Sequence, residues 1–248
     1  MDGLVLGLFV VAAFAGGFVS GFSGFAMGLV VSGVWLHIIT PTQTAALIAG
    51  YGLLTQGYGI RKLRQALNWQ RIWPLVLGTT IGIPFGVILL NHINPTYLRL
   101  GVGVLLVLYT IYGLAKPAFK PMKIGIAPDI GIGIVNGLVG GLTGLGGVVS
   151  TISCQWRGWT RDVQRAVFQP VLFAAFVVIS ISMGITGAFT PETLKLYALG
   201  FPFMLAGLWS GFKLYGMIDD ETFRKAVLAL LLIAGLSLIV TALIARGP

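Results

Sequence analysis

Residues 17–28 read GFVSGFSGFAMG and residues 137–148 read GLVGGLTGLGGV. A shift of 120 positions sets Gly17, Val19, Gly21 and Gly24 on Gly137, Val139, Gly141 and Gly144, and Ser23 on Thr143, one hydroxyl for another. Each stretch sits inside a long apolar run. Glycine costs roughly 1 kcal/mol against alanine in a helix interior, so several glycines within two turns predict that the helix unwinds there. In lipid, unwound backbone survives only where protein buries it or where it lines a cavity. The two stretches are therefore read as the functional centre of the chain.

Their surroundings are those of a membrane protein. Of the 248 residues, 56% are hydrophobic and 9% charged, where a soluble domain carries roughly 25% charged residues; the mean hydropathy is +0.94. Apolar runs cover residues 3–39, 42–60, 72–91, 97–115, 126–155, 164–186, 192–212 and 223–245. Most have the length of one bilayer crossing. No gap between runs is long enough for a soluble domain, and the start Met1-Asp2-Gly3 lacks the basic flank of a cleavable signal, so the first helix is expected to be retained. The net charge of +9 reads as the lysine and arginine bias of cytoplasmic loops rather than as a nucleic-acid surface, because no loop interleaves basic and aromatic residues at length. The single cysteine, Cys154, excludes an internal disulfide and a multi-cysteine metal site and reads as a small apolar filler beside the second break. No cofactor is called for.

The runs 3–39 and 126–155 exceed one crossing and carry the glycine breaks. Each is either one bent crossing helix or a hairpin that dips in and returns. If every run crosses, lysines and arginines divide almost evenly between the two sides. If both long runs are re-entrant, the basic loops 61–71, 116–123, 157–165 and 213–225 share one side, and only Arg99, Lys195 and Arg246 are left on the other. The positive-inside rule selects the second arrangement. The expected architecture is an all-α polytopic membrane protein of two repeats, each a broken re-entrant hairpin followed by three transmembrane helices. Three crossings per repeat make the second inverted relative to the first. The first repeat covers 1–115 (hairpin 3–39; helices 42–60, 72–91, 97–115), a linker 116–125 follows, and the second covers 126–248 (hairpin 126–155; helices 164–186, 192–212, 223–245). Further matches at a shift of 125 support it: Gly82, Gly86, Ile93-Asn94 and Arg99 fall on Gly207, Gly211, Ile218-Asp219 and Arg224. Both termini are expected outside the cytoplasm, in the inner (plasma) membrane. The glycines spaced by four, Gly78, Gly82 and Gly86, read as a smooth face for close helix packing, with Gly207 and Gly211 alike.

The acidic residues Asp2, Asp129, Asp162, Glu192, Asp219, Asp220 and Glu221 all fall near predicted membrane edges. No carboxylate lies mid-span, which argues against a metal-cation carrier and a carboxylate-gated proton pump. What mid-depth offers is backbone N–H at the start of each outgoing half-helix, with the positive end of its dipole. The expected substrate site therefore comprises Ser20, Gly21, Ser23 and Gly24 from the first break and Gly140, Gly141, Thr143 and Gly144 from the second. Asn136 and Ser150 are added as donors, and Gln43, Gln164 and Arg165 as polar residues on neighbouring spans; Arg161 and Arg165 stand at the cytoplasmic mouth. Trp35, Trp69, Trp73, Trp156 and Trp159 fit interfacial belts, and His37 and His92 sit at span ends.

Gly21-Phe22-Ser23-Gly24 also fits the G-x-S-G pattern of rhomboid-type intramembrane serine proteases, but neither histidine is placed to take a proton from Ser23. Taken together, the residues resemble the TauE/SafE sulfite exporter family. The likeness covers nearly the whole chain: its length, its two repeats and the glycine-rich motif that opens each. GLVGGLTGLGGVVS follows the family's pattern, whereas the first copy has Phe25 and Ala26 where a further glycine run is common. The resemblance implies a secondary permease for a small sulfur-containing anion: sulfite, sulfoacetate or a related sulfonate. Thiosulfate carriage in relatives is associated with cysteines, of which this chain has only Cys154. A passive anion channel of the same fold is the second reading, and an assembly partner without flux a third. The expected partners are the small anion and the bilayer, with no nucleic acid, the chain acting as a monomer or homodimer.

Overall fold

A computed structural model of the chain describes residues 3–90, 95–115, 125–143, 147–185, 187 and 189–244. Among these residues there are ten α-helices and no strand: α1 Gly3–Ser23, α2 Met27–Ile38, α3 Pro41–Lys62, α4 Trp69–Leu90, α5 Pro95–Ala115, α6 Ile126–Thr143, α7 Val148–Trp156, α8 Arg161–Ile185, α9 Pro191–Tyr215 and α10 Asp220–Ile244. The expected apolar runs correspond to these helices within a few residues, and both long runs divide in two. α1, α8 and α10 are each long and apolar enough to cross a membrane. Large apolar side chains stand exposed along the helices, among them Leu4, Phe85, Ile185, Trp209 and Ile244. Such a surface suits lipid and not water. The linker 116–124 and the Ile93-Asn94 match lie outside the described residues.

The helices that start cleanly do so for local reasons. Thr40 and Gln43 form a reciprocal capping box at α3, with Pro41 in its first turn. Thr190 accepts the Thr193 N–H ahead of α9. Asp219 accepts the Thr222 N–H at 2.7 Å ahead of α10, and that amide holds its carboxyl below the usual carboxylate range.

The chain forms two compact units, Met1–Gln65 with Leu172–Ile218, and Ala66–Val171 with Asp219–Pro248. Each compact unit draws helices from both the first and the second half of the chain. α8 passes from the second unit into the first just after Pro170.

In the first unit, α1 and α2 fold back on each other. Phe9 stacks on Trp35 at 5.0 Å, Trp35 Nε1 donates to the Phe9 carbonyl at 3.2 Å, and Gly16 faces Met27 and Val31. Partners descend on one helix as they ascend on the other, so the run is a hairpin. Trp35 is wholly buried in the core and does not join an interfacial belt as expected: with its indole N–H satisfied by a carbonyl, it needs no water. α9 runs parallel to α1. A Cβ on Gly17 or Gly21 would overlap the carbonyl of Met204 or Leu208, and one on Gly207 or Gly211 the carbonyl of Phe14 or Phe18. α3 joins them through Tyr51, which donates to the Tyr197 carbonyl at 2.6 Å and stacks on the Tyr197 ring at 4.5 Å.

The second unit repeats this pairing with other helices. α6 and α7 fold back, tied by the buried pair Asp129–Arg157 and by Asn136, which accepts from the Gly147 and Ser150 amides. α4 runs parallel to α6, with Gly78 and Gly82 against the Ile130 and Ile134 carbonyls and Gly133 and Gly137 against those of Leu75 and Thr79. α5 and α10 meet where Gly103 faces Gly235. Cys154 is buried in an apolar cluster with Ile72, Leu75, Val167 and Val171. The glycines spaced by four thus serve close packing in both units.

The glycine runs themselves behave differently from the expectation. Gly16, Gly17 and Gly21 remain helical to the end of α1, and Gly137, Gly140 and Gly141 remain helical in α6. Backbone-to-backbone packing against α9 and α4 offsets their poor helix propensity. The chain leaves the helix only at Gly24, with φ +90°, and enters α7 through Gly147, with φ +95°. That left-handed conformation favours glycine.

Candidate functional site

The first break is built from α1, α2 and α3. Ser23 is buried, and its hydroxyl donates to the Val19 carbonyl at 2.8 Å. The same oxygen accepts the Phe25 and Ala26 amides at 3.5 and 3.4 Å. The Gly24 N–H donates to the Ser20 carbonyl at 2.8 Å, and the Gly24 carbonyl accepts from Gln56 Nε2 at 3.0 Å. Ala26, the residue capping α2, supplies no side-chain acceptor. The first-turn amides of Met27 and Gly28 have no carbonyl four residues back inside the helix.

The second break is held by a chain of side-chain bonds. Asn136 Oδ1 accepts the Gly147 and Ser150 amides, each at 3.1 Å. Its Nδ2 donates to Thr79 Oγ1 at 3.2 Å, and Thr79 donates in turn to the Gly133 carbonyl at 3.2 Å. Ser150 Oγ donates back to the Gly147 carbonyl at 2.9 Å. Every polar atom of Asn136 is therefore engaged in fixing the α7 N-terminus against α6 and α4.

Two consequences follow for the expected site. First, part of the expected donor set is used internally: Ser23 acts as an acceptor for the turn, and Asn136 occupies the amides of Gly147, just ahead of α7, and of Ser150 within it. Second, the breaks stand at different heights on their neighbours. At 1.5 Å per residue, Gln56 lies about 22 Å along α3 from Pro41 and about 9 Å from Lys62, so the first break is towards the cationic end of that helix rather than at its middle. Thr79 is about 15 Å from either end of α4, so the α7 N-terminus is level with the middle of that helix.

The structure brings Ser20, Ser23 and Gly24 together, and sets Asn136 on the second break. Gly21 packs on Leu208 and Gly141 on Gly86, which makes both helix-contact residues. Gly140 is half-buried on α6. Gly144 and the Thr143 side chain lie outside the described residues. Gln43 stands at the far end of α3 from Gln56, in the capping box. There it lines a cavity of about 890 Å³ with His37, Glu192 and Lys195. Gln164 Nε2 donates to the Trp159 carbonyl at 2.7 Å and closes the turn into α8; Arg165 follows it, wholly buried. Trp159 has two cations over its ring system, the Arg71 and the Arg157 guanidinium each 4.8 Å from a ring centroid.

Two residues that matter at the breaks were outside the expected site. Thr79 gives no signal, being one of two adjacent threonines in an apolar helix. Gln56 was visible as a polar residue on an apolar run, and only the fold reveals that it reaches Gly24. Replacing Asn136 by leucine is expected to lower stability by roughly 2 kcal/mol, since two amides lose their acceptor. Thermal unfolding in detergent measures it, and an unchanged midpoint would show that the α7 N-terminus does not depend on Asn136.

A family model described as Sulfite exporter TauE/SafE matches residues 8–238. No curated protein and no solved structure matches the chain.

Proposed function

We propose, from the premise that this chain belongs to the TauE/SafE sulfite exporter family, that it is a secondary transporter of a small sulfur-containing oxyanion, namely sulfite, sulfoacetate or a related sulfonate. The observation that supports this is the pair of hairpins. In each unit, a long apolar run folds back, with Gly24 or Gly147 at positive φ ahead of the returning helix, so that the N-terminus of α2 or α7 lies part-way along a neighbouring helix. Amides of a helix first turn, backed by the helix dipole, suit a small anion. Ser20 and Gly24 would contribute in one unit, beside the turn that Ser23 holds. Gly140, Thr143 and Gly144 would contribute in the other, at the α7 N-terminus that Asn136 positions. Inverted repeats are the reading of the topology that fits the parallel pairs α1/α9 and α4/α6, each joining the hairpin of one repeat to a helix of the other.

The orientation proposed is termini outward in the inner membrane. Arg61, Lys62 and Lys213 gather at the last turns of α3 and α9, whereas His37, Glu192 and Lys195 share the opposite end of the same unit. The excess of cations at the first end supports a cytoplasmic placement for it. A protease reading gains nothing: His37 is at the other end of α2 from Ser23, about 15 Å away along the helix, and the Ser23 hydroxyl donates to a carbonyl.

The test is flux through purified protein in proteoliposomes. Radiolabelled sulfite is expected to enter saturably and to exchange against internal sulfite. A passive channel would instead give conductance far above carrier turnover, without counterflow. Absence of flux for every sulfur oxyanion tried would remove the proposal.

A further inference from the structure

The first break holds a buried acceptor that the hairpin itself does not use. Gln56 is 2% exposed. Its Nε2 faces the Gly24 carbonyl at 3.0 Å, and because a carbonyl only accepts, the amide cannot be turned the other way. Oε1 is thereby fixed as the atom turned away from that carbonyl; it is buried and has no hydrogen-bond partner among the described residues. Buried amide oxygens are nearly always satisfied.

Backbone donors follow a few residues further along the chain from Gly24. The Gln56 amide grips the residue that starts the turn into α2, a helix of 12 residues with no side-chain cap. The amides of Met27 and Gly28 open that helix. An oxyanion with no hydrogen of its own would meet those donors well and be repelled by Oε1. An oxyanion that also carries an O–H or N–H satisfies both kinds of group at once.

We infer that Gln56 sets specificity at this break, its Oε1 accepting a hydrogen bond from a proton-bearing sulfur oxyanion: hydrogen sulfite, or a sulfonate with a hydroxyl or amino group. The inference rests on the transport reading above and narrows it, disfavouring sulfoacetate, which offers no donor at neutral pH.

The probes are 2-hydroxyethanesulfonate and propane-1-sulfonate, near-isosteres that differ in one donor. Binding to the full-length protein in detergent is measured by titration calorimetry, with sulfite as reference. Wild type is expected to hold the hydroxylated probe about tenfold more tightly. Gln56→Met is expected to bring the two within about twofold of each other, whatever the loss of its bond to Gly24 does to both affinities together. Equal affinities in wild type, as when Oε1 is satisfied by a water molecule, would overturn the inference and leave the transport reading standing. A tenfold preference that survives in Gln56→Met would overturn it too. Should Gln56→Met not fold, the wild-type ratio decides alone. No binding of sulfite or either sulfonate by wild type would instead count against the transport reading.

Discussion

Asp129→Asn is expected to lower the thermal unfolding midpoint by roughly 10 °C, the equivalent of about 3–5 kcal/mol. Asp129 lies in the first turn of α6 and Arg157 just past the end of α7; their side chains are 5–7% exposed and paired through both guanidinium nitrogens. The pair closes the open end of the second hairpin, opposite the Asn136 network. Asparagine keeps the shape and removes the charge, which leaves the Arg157 guanidinium buried beside Trp159 without its counter-ion. The cost is that of an uncompensated buried cation, not the net worth of the pair. For that reason the double replacement Asp129→Leu with Arg157→Met is expected to recover most of the loss. A double variant as unstable as the single one would show that the ion pair holds the hairpin in a way apolar packing cannot replace.

Gly137→Ala and Gly131→Ala are expected to act in opposite directions although both lie in α6. A Cβ on Gly137 would overlap the Thr79 carbonyl and crowd the Ile83 amide, whereas one on Gly131 meets nothing within 4 Å. Gly131→Ala is expected to gain up to about 1 kcal/mol from helix propensity. Gly137→Ala is expected to lose at least about 3 kcal/mol, because α4 must move away along its whole length and neither partner is a flexible side chain. Unfolding midpoints of the two variants against wild type decide it. Similar midpoints for both would mean that α4 and α6 do not approach as closely as their backbones indicate. Gly207→Ala in α9, against the Phe14 carbonyl of α1, is expected to repeat the loss in the first unit.

These two variants show where the sequence was readable and where it stopped. Helix positions came from hydropathy alone, and the hairpin reading came from charge, because neither depends on which helices touch. The glycines were harder. Gly17, Gly21, Gly137 and Gly141 look in sequence like Gly24 and Gly147, each a glycine in a run whose helix is expected to unwind. Of these six, only Gly24 and Gly147 take a positive φ; the other four are small because another helix lies against them. A glycine needed for its backbone angle and one needed for its missing side chain are alike until the partner is known, and the partners α9 and α4 are remote in sequence. Gln43 reads in sequence as a polar residue on an apolar span, yet Thr40 and Gln43 have the spacing of a capping box, and that is the role the structure gives it. Gln56 and Thr79 depend on long-range contacts and could not be placed. Asn136 was placed as a donor, and the structure uses its oxygen as an acceptor for two amides.

The interleaving of the two units sets the order in which the chain can be completed during synthesis. α1 emerges first, yet the helix that covers its glycine face, α9, is the ninth of ten. At ordinary elongation speeds the interval is on the order of ten seconds. Over that time the nascent hairpin waits in the bilayer with its Gly17 and Gly21 surface uncovered by the helix that finally packs there. α4 waits less, since α6 follows it closely. A ribosome-bound chain ending before α9 would therefore hold the second unit's helix pair already joined and the first unit's still apart.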